Sequence, residues 1–317
     1  MIELAIQGVI LAISLAVLAW ASQSTIKSIE DIMELTGLSE ISTGFIILSV
    51  MTTLPEMTVA AFAVYQGVPG ISLGDILGSH IFNIAMVIGI LAVLGSLKTC
   101  CTDLLMELVD ILFLAAIIPL LFVISRITVI SPSIGSPIVG IALLGFFVFS
   151  IYRMAKKRSP ASEDPGKTPI QRKSRRKIMI WVIAGAAIVV LTSRFTVSSA
   201  SEIAYLLGIA PVLIGARIVA VGTSLPELAF GLAAIKRGRV NLALGDAIGA
   251  NLTTITLVLG FVLLLSPFTV DIAAFAEILL FVLATNLILW RYLTRGGVSQ
   301  VGGIILIMVY VLFQATI

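Results

Sequence analysis

The sequence predicts an all-α integral membrane protein with ten transmembrane helices, arranged as two inverted five-helix repeats in which the second and seventh helices are broken. Three observations lead to this fold class. Apolar runs of membrane-spanning length recur along the chain, two pairs of motifs repeat at one constant spacing, and a proline followed by a glutamate interrupts the corresponding run in each half.

The composition is typical of a membrane protein. Of the 317 residues, 59% are hydrophobic and 12% are charged, whereas a soluble domain carries about 25% charged residues. The apolar runs reach the length of about 20 residues that a spanning helix needs, and they lack the polar–apolar alternation of a transmembrane β-barrel. The predicted spans are residues 3–22, 40–66, 71–97, 104–125, 134–154, 178–194, 205–235, 241–266, 269–290 and 299–317.

A polar stretch divides the chain and indicates its orientation. Residues 155–177 separate a predicted N-terminal five-helix repeat, residues 1–154, from a C-terminal one, residues 178–317. The stretch "YRMAKKRSPASEDPGKTPIQRKSRRK" carries ten of the twenty Lys and Arg, which are enriched in cytoplasmic loops. With this linker in the cytoplasm, ten spans place both termini outside. We therefore expect a multi-pass protein of the cell membrane with its N- and C-termini outside.

Two pairs of matching motifs indicate an internal duplication. "SVMTTLPE" at residues 49–56 matches "AVGTSLPE" at 220–227, and "GDILGSHIFN" at 74–83 matches "GDAIGANLTT" at 245–254. Both pairs are 171 residues apart. Five spans are an odd number, so the second copy must enter the membrane from the opposite side, as in the inverted repeats of many secondary transporters. Interrupted helices in corresponding places of the two halves point to a binding site near the bilayer midplane.

Pro55 and Pro226 should open the backbone of the second and seventh helices. Proline has no N–H and clashes with the carbonyl four residues earlier, so the preceding carbonyls should lose some of their partners. Open carbonyls are tolerated at membrane depth where they line a cavity or meet an ion, and here they lie beside Glu56 and Glu227. The affected carbonyls are those of residues 49–52 and 220–223. The neighbouring hydroxyls are those of Thr52, Thr53, Thr223 and Ser224.

Two carboxylates with carbonyl and hydroxyl oxygens form a set of hard ligands. Calcium takes six to eight oxygen ligands, and the same set suits sodium, whereas zinc and copper favour nitrogen and sulfur. Two ionised glutamates neutralise one divalent cation; without it they would repel each other, and a charge at the midplane is costly. The pattern therefore predicts carboxylates that, once the divalent cation has left, either take up protons or hold other cations. Glutamates favoured only by the positive end of a helix are the alternative.

A polar stripe on the third predicted helix adds further candidates. Asp75, Ser79 and Asn83 recur every four residues and therefore share one helix face. We expect Ser79 and Asn83 to bind the ion or to support its ligands. An access path and a helix-entry role both stay open for Asp75 and its counterpart Asp246. The matching positions on the eighth helix are Asp246, Ala250 and Thr254.

Small residues predict where helices pack closely and where they move. Gly74 with Gly78, and Gly245 with Gly249, are pairs of small residues four positions apart, which permit close contact between helices in membranes. The first and sixth predicted helices have no polar centre. We expect these two helices to slide or rock across the front of a more rigid site.

The repeated motifs resemble the alpha repeats of the cation/calcium exchanger superfamily, and in particular those of its prokaryotic sodium/calcium exchangers. The motifs that carry the resemblance are "GTSLPEL", "TTLPE", "GDILGSHIFN" and "GDAIGAN", and the resemblance extends over the ten-helix plan. It implies a calcium site at Glu56 and Glu227, completed by the carbonyls of Thr52 and Thr223. The implied sodium ligands are the Ser49 carbonyl, Thr53, Ser79, the Ala220 carbonyl, Ser224 and the position of Ala250, with Asn83 and Thr254 as a central pair.

Four positions depart from the family pattern. Met51 stands in place of glycine, His80 in place of asparagine, Ala250 in place of serine and Thr254 in place of an acidic or amide residue. Because Ala250 removes one hydroxyl ligand, we expect one weaker sodium site. The proton/calcium branch of the superfamily carries a Gly-Asn-Ala-x-Glu pattern in both repeats, and its absence here favours sodium as the coupling ion.

The resemblance implies an antiporter that exchanges calcium for sodium by alternating access. A proton-coupled calcium exchanger is the alternative, and a cation channel, which also uses broken helices and carbonyls, is a further one. An enzyme is not indicated, because the sequence offers neither a Ser/His pair nor a paired aspartate motif. The expected partners are calcium, sodium or protons, and the lipid bilayer. Nucleic acid and an organic cofactor are not expected, and the site requires no oligomer.

Two further polar residues lie within the predicted spans. His80, the lone histidine, lies about 100° around the helix from Ser79. We expect it to pack near the site, with a titrating role as the alternative. Arg217 lies ten residues before Glu227 and should pair with an acid or reach the outer interface, because an unpaired arginine in a membrane is costly. Asp110 on the fourth span is a candidate partner.

Overall fold

The computed structural model is almost entirely helical. It describes residues 2–33, 49–95, 97–98, 103–128, 132–156, 172–266 and 272–316. Within these ranges, seven helices are long and apolar enough to cross a membrane, and two shorter apolar helices accompany them. The chain is therefore an all-α, multi-pass membrane protein.

The first half places a continuous span directly after a broken helix. A π-helical segment, Phe82–Ile88, joins α4 to α5, so that Pro69–Gly95 forms one apolar span. π-helical turns are rare and frequently lie at functional sites. The helices are α1 (Ile2–Met33), α2 (Ser49–Thr52), α3 (Leu54–Tyr65), α4 (Pro69–Ile81), α5 (Gly89–Gly95), α6 (Asp103–Thr128) and α7 (Pro132–Lys156).

From its broken helix as far as the π-helical segment that follows, the second half repeats the elements of the first half. π-helical segments Gly215–Val219 and Thr254–Val258 join α9 to α10 and α12 to α13. The helices are α8 (Arg172–Leu207), α9 (Pro211–Ile214), α10 (Ala220–Thr223), α11 (Leu225–Lys236), α12 (Val240–Thr253), α13 (Leu259–Leu265), α14 (Ile272–Leu293) and α15 (Gln300–Thr316). Two short antiparallel strands, β1 (Leu97–Lys98) and β2 (Gly297–Val298), pair with each other.

Helices α7 and α8 extend into the range that the sequence assigns to a linker. α7 ends at Lys156, and α8 begins at Arg172, so both ends of the predicted linker, residues 155–177, are helical. Residues 157–171 of that linker lie outside the described residues. The basic residues at the start of α8 therefore continue a helix rather than a loop.

Matching glycines end the two helices that carry the repeated glutamates. Gly67 after α3 and Gly238 after α11 lie 171 residues apart and have φ angles of 72° and 74°. A residue in this left-handed conformation commonly ends a helix, and glycine adopts it without a steric cost from a Cβ. The Val68 N–H donates to the Ala63 carbonyl at 2.8 Å, and the corresponding donor, the Arg239 N–H, has a bond of 2.9 Å.

Helix α4 touches the α9 region at backbone distance. A Cβ added to Gly74 would lie 2.0 Å from the carbonyl oxygen of Val212, and one added to Gly78 would lie 2.2 Å from that of Ala216. A Cβ at Gly215 would lie 2.2 Å from an α4 carbonyl. The prediction of close contact at the first glycine pair is therefore confirmed. α4 is buried along its whole length and forms a fixed surface against which the second broken helix rests.

Helices α1 and α8 pack along each other beside the broken helices. Leu15 of α1 lies over Gly222, where an added Cβ would meet its side chain at 2.5 Å. Between the two helices, the Thr196 hydroxyl donates to the Ser14 hydroxyl at 3.0 Å, and both side chains are buried. The expectation that these helices have no polar centre is therefore wrong. The opposite face of α1 exposes apolar side chains such as Ile13, as expected of a lipid-facing surface.

Candidate cation site

Each repeated glutamate lies in the first turn of a helix that starts at a break. The helical run is interrupted at Thr53 and at Ser224, where ψ is 4° in both cases. A proline occupies the first turn of each following helix, where its missing N–H would have no helical partner in any case. Glu56 and Glu227 follow the prolines directly. The break thus determines the position of the backbone from which each glutamate side chain extends.

Backbone hydrogen bonds persist on the N-terminal side of each break. The Thr53 N–H donates to the Ser49 carbonyl at 3.1 Å, and the Ser224 N–H donates to the Ala220 carbonyl at 3.2 Å. The Thr53 hydroxyl also donates to the Ser49 carbonyl, at 2.8 Å. The carbonyls of Ser49 and Ala220, which the sequence predicts to be open, are therefore paired. Each accepts from a residue two positions before the proline, so the missing proline N–H does not affect these bonds.

The open carbonyls lie one residue before each break. Among the described residues, no backbone hydrogen bond reaches the carbonyl of Thr52 or of Thr223 across the break. Each threonine lies four residues before its glutamate. A buried carbonyl without a partner carries a free-energy cost comparable to a lost hydrogen bond. A cation bound at this point would supply the missing partner.

Glu56 and Glu227 are buried and have few hydrogen-bond donors. Their exposed fractions are 0% and 1%. The Ser224 hydroxyl donates to Oε1 of Glu56 at 3.4 Å, whereas Oε2 of Glu56 and both carboxylate oxygens of Glu227 have no partner in the described part of the chain. Glu56 and Glu227 are close enough to interact electrostatically, and Asp75 interacts with both. Buried acceptors of one charge sign, gathered in this way, are stabilised by a bound cation or by protonation.

Each half contributes an aspartate that accepts a hydrogen bond from the broken helix of the other half. The Thr223 hydroxyl donates to Oδ1 of Asp75 at 2.7 Å, and the Thr52 hydroxyl donates to Oδ1 of Asp246 at 3.3 Å. The 171-residue spacing relates the two bonds, and all four side chains are buried. The second oxygen of each aspartate has no partner among the described residues. Both aspartates therefore face hydroxyls at the helix breaks.

A row of amides and one histidine extends from the site to α14. The Asn83 amide donates to Oδ1 of Asn251 at 3.1 Å, and the Asn251 amide donates to the His80 carbonyl at 3.1 Å. The His80 ring Nε2 lies 2.8 Å from the Asn286 amide nitrogen. Oδ1 of Asn83 is buried and has no partner within the described ranges, so the row ends on a free acceptor. Motif reasoning missed Asn251 and Asn286, although a polar side chain within an apolar span is itself a signal of function.

The remaining predicted residues contribute hydroxyls to the same buried region. Ser79 donates to the Ile76 carbonyl and Thr254 to the Asn251 carbonyl, both at 3.1 Å. The Ser49 hydroxyl lies 3.5 Å from that of Thr253. The predicted site residues are all buried: Ser49, Thr52, Thr53, Glu56, Ser79, Asn83, Ala220, Thr223, Ser224, Glu227 and Thr254.

Arg217 does not pair with Asp110. Asp110 instead accepts a hydrogen bond of 2.9 Å from the Trp290 indole. Nε and Nη2 of Arg217 are buried and have no hydrogen-bond partner in the described part of the chain. Its backbone carbonyl accepts from the Gln314 amide at 3.5 Å. The predicted ion pair between Arg217 and Asp110 is therefore wrong, because the fourth and seventh spans do not bring the two side chains together.

The donor set consists of carboxylate, amide, hydroxyl and carbonyl oxygens. Within the described ranges, no group of three or more His, Cys, Asp or Glu side chains could hold a metal ion. An ion bound here would therefore take neutral oxygens in addition to the carboxylates of Glu56 and Glu227. Such a set suits calcium and sodium, both of which are hard cations.

Comparisons with known proteins identify the family of the chain. Residues 6–156 and 177–317 match the family model described as "Sodium/calcium exchanger protein". The chain is 29% identical to the putative antiporter CaxA of Alkalimonas amylolytica over 95% of each chain. It is 27% identical to the sodium/calcium exchanger MaX1 of Methanosarcina acetivorans over 96% of each. A solved structure of the sodium-calcium exchanger NCX_Mj is 26% identical, with 99% of each chain covered and a TM-score of 0.69.

Proposed function

Because the chain belongs to the sodium/calcium exchanger protein family, we propose that it exchanges calcium for sodium across the membrane by alternating access. The observation that carries the proposal is the buried pair Glu56 and Glu227, whose carboxylates have three oxygens without a partner in the described part of the chain. One calcium ion would neutralise both carboxylates. After it leaves, sodium ions would neutralise the same groups, because two ionised carboxylates are costly in a membrane without a counter-ion.

The proposed ligands come from the residues beside the two helix breaks and from the polar face of α4 and its counterpart α12. The carboxylates of Glu56 and Glu227 and the open carbonyls of Thr52 and Thr223 would bind calcium. Sodium would use the hydroxyl and carbonyl oxygens around them, and Asn83 with Thr254 would lie at the centre. The sodium candidates are Ser49, Thr53, Ser79, Ala220 and Ser224. The carbonyl oxygens of Ser49 and Ala220 would have to bind an ion while each also accepts its existing backbone hydrogen bond.

We infer that the described helices belong to a plan of ten spans in two inverted repeats. Support comes from features that recur at a spacing of 171 residues: the breaks at Thr53 and Ser224, the left-handed glycines and the reciprocal Thr–Asp bonds. The bias of Lys and Arg would then place the linker region, residues 155–177, in the cytoplasm and both termini outside.

Helices α1 and α8 are the moving elements in this proposal. They pack along each other and lie beside the two broken helices, where Leu15 rests on Gly222. Their shared bond between Ser14 and Thr196 would keep them together as a unit. Movement of this unit across the site would open it to one side of the membrane at a time.

Transport assays on purified protein in lipid vesicles test the proposal. Vesicles loaded with sodium and diluted into sodium-free medium should take up ⁴⁵Ca²⁺, and Glu227→Gln should abolish the uptake. Glu277→Gln, which changes an exposed glutamate on α14, is the matched control and should transport normally. Uptake that ignores sodium and follows a proton gradient would replace sodium with protons as the coupling ion. Currents larger than transporter turnover would indicate a channel.

A further inference from the structure

The reciprocal Thr–Asp bonds join the two halves at the points where their helices break. Thr223 belongs to the end of α10, and its acceptor Asp75 belongs to α4 in the other half. Thr52 at the end of α2 and Asp246 on α12 repeat the arrangement. Each threonine also has an open backbone carbonyl. A role for the two bonds in cation binding rests on the proposed function, in which those carbonyls bind the transported ion.

Asp75 lies on the closely packed surface of α4. Its neighbour Gly74 is in backbone contact with Val212, and a Cβ at Gly215 would lie 2.9 Å from the Asp75 backbone nitrogen. The side chain is completely buried. Asp75 therefore offers a buried acceptor to a helix end whose last carbonyl, that of Thr223, receives no backbone hydrogen bond across the break.

The hydroxyl of Thr223 has three acceptors within hydrogen-bonding distance, and Asp75 supplies the nearest of them. The Thr223 hydroxyl has a single proton, and its other acceptors are the carbonyls of Val219 and Ala220, both at 3.2 Å. The aspartate oxygen is nearer, at 2.7 Å, and bonds to charged acceptors are stronger than those to neutral ones. Because the threonine side chain is β-branched and stiff at χ1, fixing the hydroxyl restrains the backbone of the same residue.

We propose that Asp75 and Asp246 are positioning residues that hold Thr223 and Thr52 so that the open carbonyls of these threonines face the transported cation. Neither aspartate needs to touch the ion in this role. The acceptor oxygen is the required feature, so asparagine should replace aspartate far better than alanine does. The longer Thr52–Asp246 bond, at 3.3 Å, should contribute less than the Thr223–Asp75 bond.

A double-mutant cycle on equilibrium calcium binding tests the stronger pair. Asp75→Ala and Thr223→Val should each raise the calcium Kd about tenfold or more, because a tenfold change lies at the lower end of the range for loss of one buried hydrogen bond to a charged group. The double variant should be no weaker than the weaker single variant, because both remove the same bond. Asp75→Asn keeps an acceptor and should recover most of the lost affinity. Ser72→Ala, which removes another buried hydroxyl from α4, is the matched control and should bind normally.

The outcomes separate this proposal from the proposed function. Absence of calcium binding in the unmodified protein would contradict the proposed function, and the same cycle would then be run with sodium. Calcium binding that Asp75→Ala leaves unchanged would overturn the positioning role alone. Effects of Asp75→Ala and Thr223→Val that add in full would also overturn it. Each variant is first checked for a single peak by size-exclusion chromatography, and an unfolded Asp75→Ala would be replaced in the cycle by Asp75→Ser.

Discussion

Ser224 and Glu56 connect the two broken helices directly: Oγ of Ser224 lies 3.4 Å from Oε1 of Glu56, and both side chains are buried. The corresponding hydroxyl in the other half, that of Thr53, donates to the Ser49 carbonyl instead. Glu227 is therefore left without a hydrogen-bond partner on either oxygen among the described residues. The two glutamates occupy corresponding positions in the sequence, yet their surroundings are unequal.

Ser224→Ala should weaken cation binding, because Glu56 loses its hydroxyl donor. A buried hydrogen bond contributes about 1 kcal/mol, which corresponds to a roughly fivefold rise in Kd. Ser224→Thr keeps the hydroxyl and should bind almost normally. Isothermal titration with calcium and with sodium measures the effect. Thr285→Val, which removes a buried hydroxyl that bonds to carbonyls within α14, is the control, and an equal loss in that variant would contradict the assignment.

Glu227→Gln should weaken calcium binding more than sodium binding. The Coulomb energy between an ion and a carboxylate is proportional to the charge of the ion. Removing one carboxylate should therefore raise the calcium Kd by roughly the square of the factor by which it raises the sodium Kd. Competition binding with ⁴⁵Ca²⁺ and ²²Na⁺ gives both factors. Equal factors for the two ions would show that Glu227 does not act through its charge.

The sequence predicts the parts of the site that depend on local chemistry. Proline without an N–H implies a break, and the breaks lie at Thr53 and Ser224 with Glu56 and Glu227 in the next turns. The 171-residue spacing identifies these positions as equivalent. The small residues Gly74 and Gly78 likewise predict that α4 closely approaches another helix, which in the structure is the α9 region. These features need no knowledge of how distant helices pack.

Contacts between distant residues could not be predicted. Thr223 and Asp75 are 148 positions apart, and His80 and Asn286 are 206 apart, so their pairing depends on the packing of whole helices. The same reason explains the wrong expectation for Arg217. Spacing alone shows which residues share a helix face, but it does not show which face of another helix lies opposite.

Thr196→Val should change the rate of exchange and leave calcium affinity nearly unaltered. The bond from Thr196 to Ser14 joins α1 to α8, and neither residue belongs to the proposed ligand set. Loss of the bond should let the two helices separate, so we expect the maximal rate to change by about threefold or more and the Kd by less than about twofold. Vesicle uptake and binding measure the two quantities. Thr192→Val, which removes a hydroxyl that bonds to the Ile188 carbonyl within α8, should change neither. If Thr196→Val altered the calcium Kd and left the exchange rate normal, the proposed role of this bond in helix movement would be contradicted.

Gly74→Ala should destabilise the protein, and Gly145→Ala should not. A Cβ at Gly74 would lie 2.0 Å from the Val212 carbonyl oxygen, whereas one at Gly145 on α7 would meet no atom of the described chain within 4 Å. Overpacking typically costs about 1–3 kcal/mol, and a backbone oxygen cannot move aside as a flexible side chain can. Thermal unfolding in detergent, followed by size-exclusion chromatography, should show a lower midpoint for Gly74→Ala and an unchanged or higher one for Gly145→Ala, because alanine favours the helix. Since Gly74 precedes Asp75, any Gly74→Ala protein that folds should also bind calcium more weakly. Equal stability of the two variants would show that α4 and α9 have room to separate.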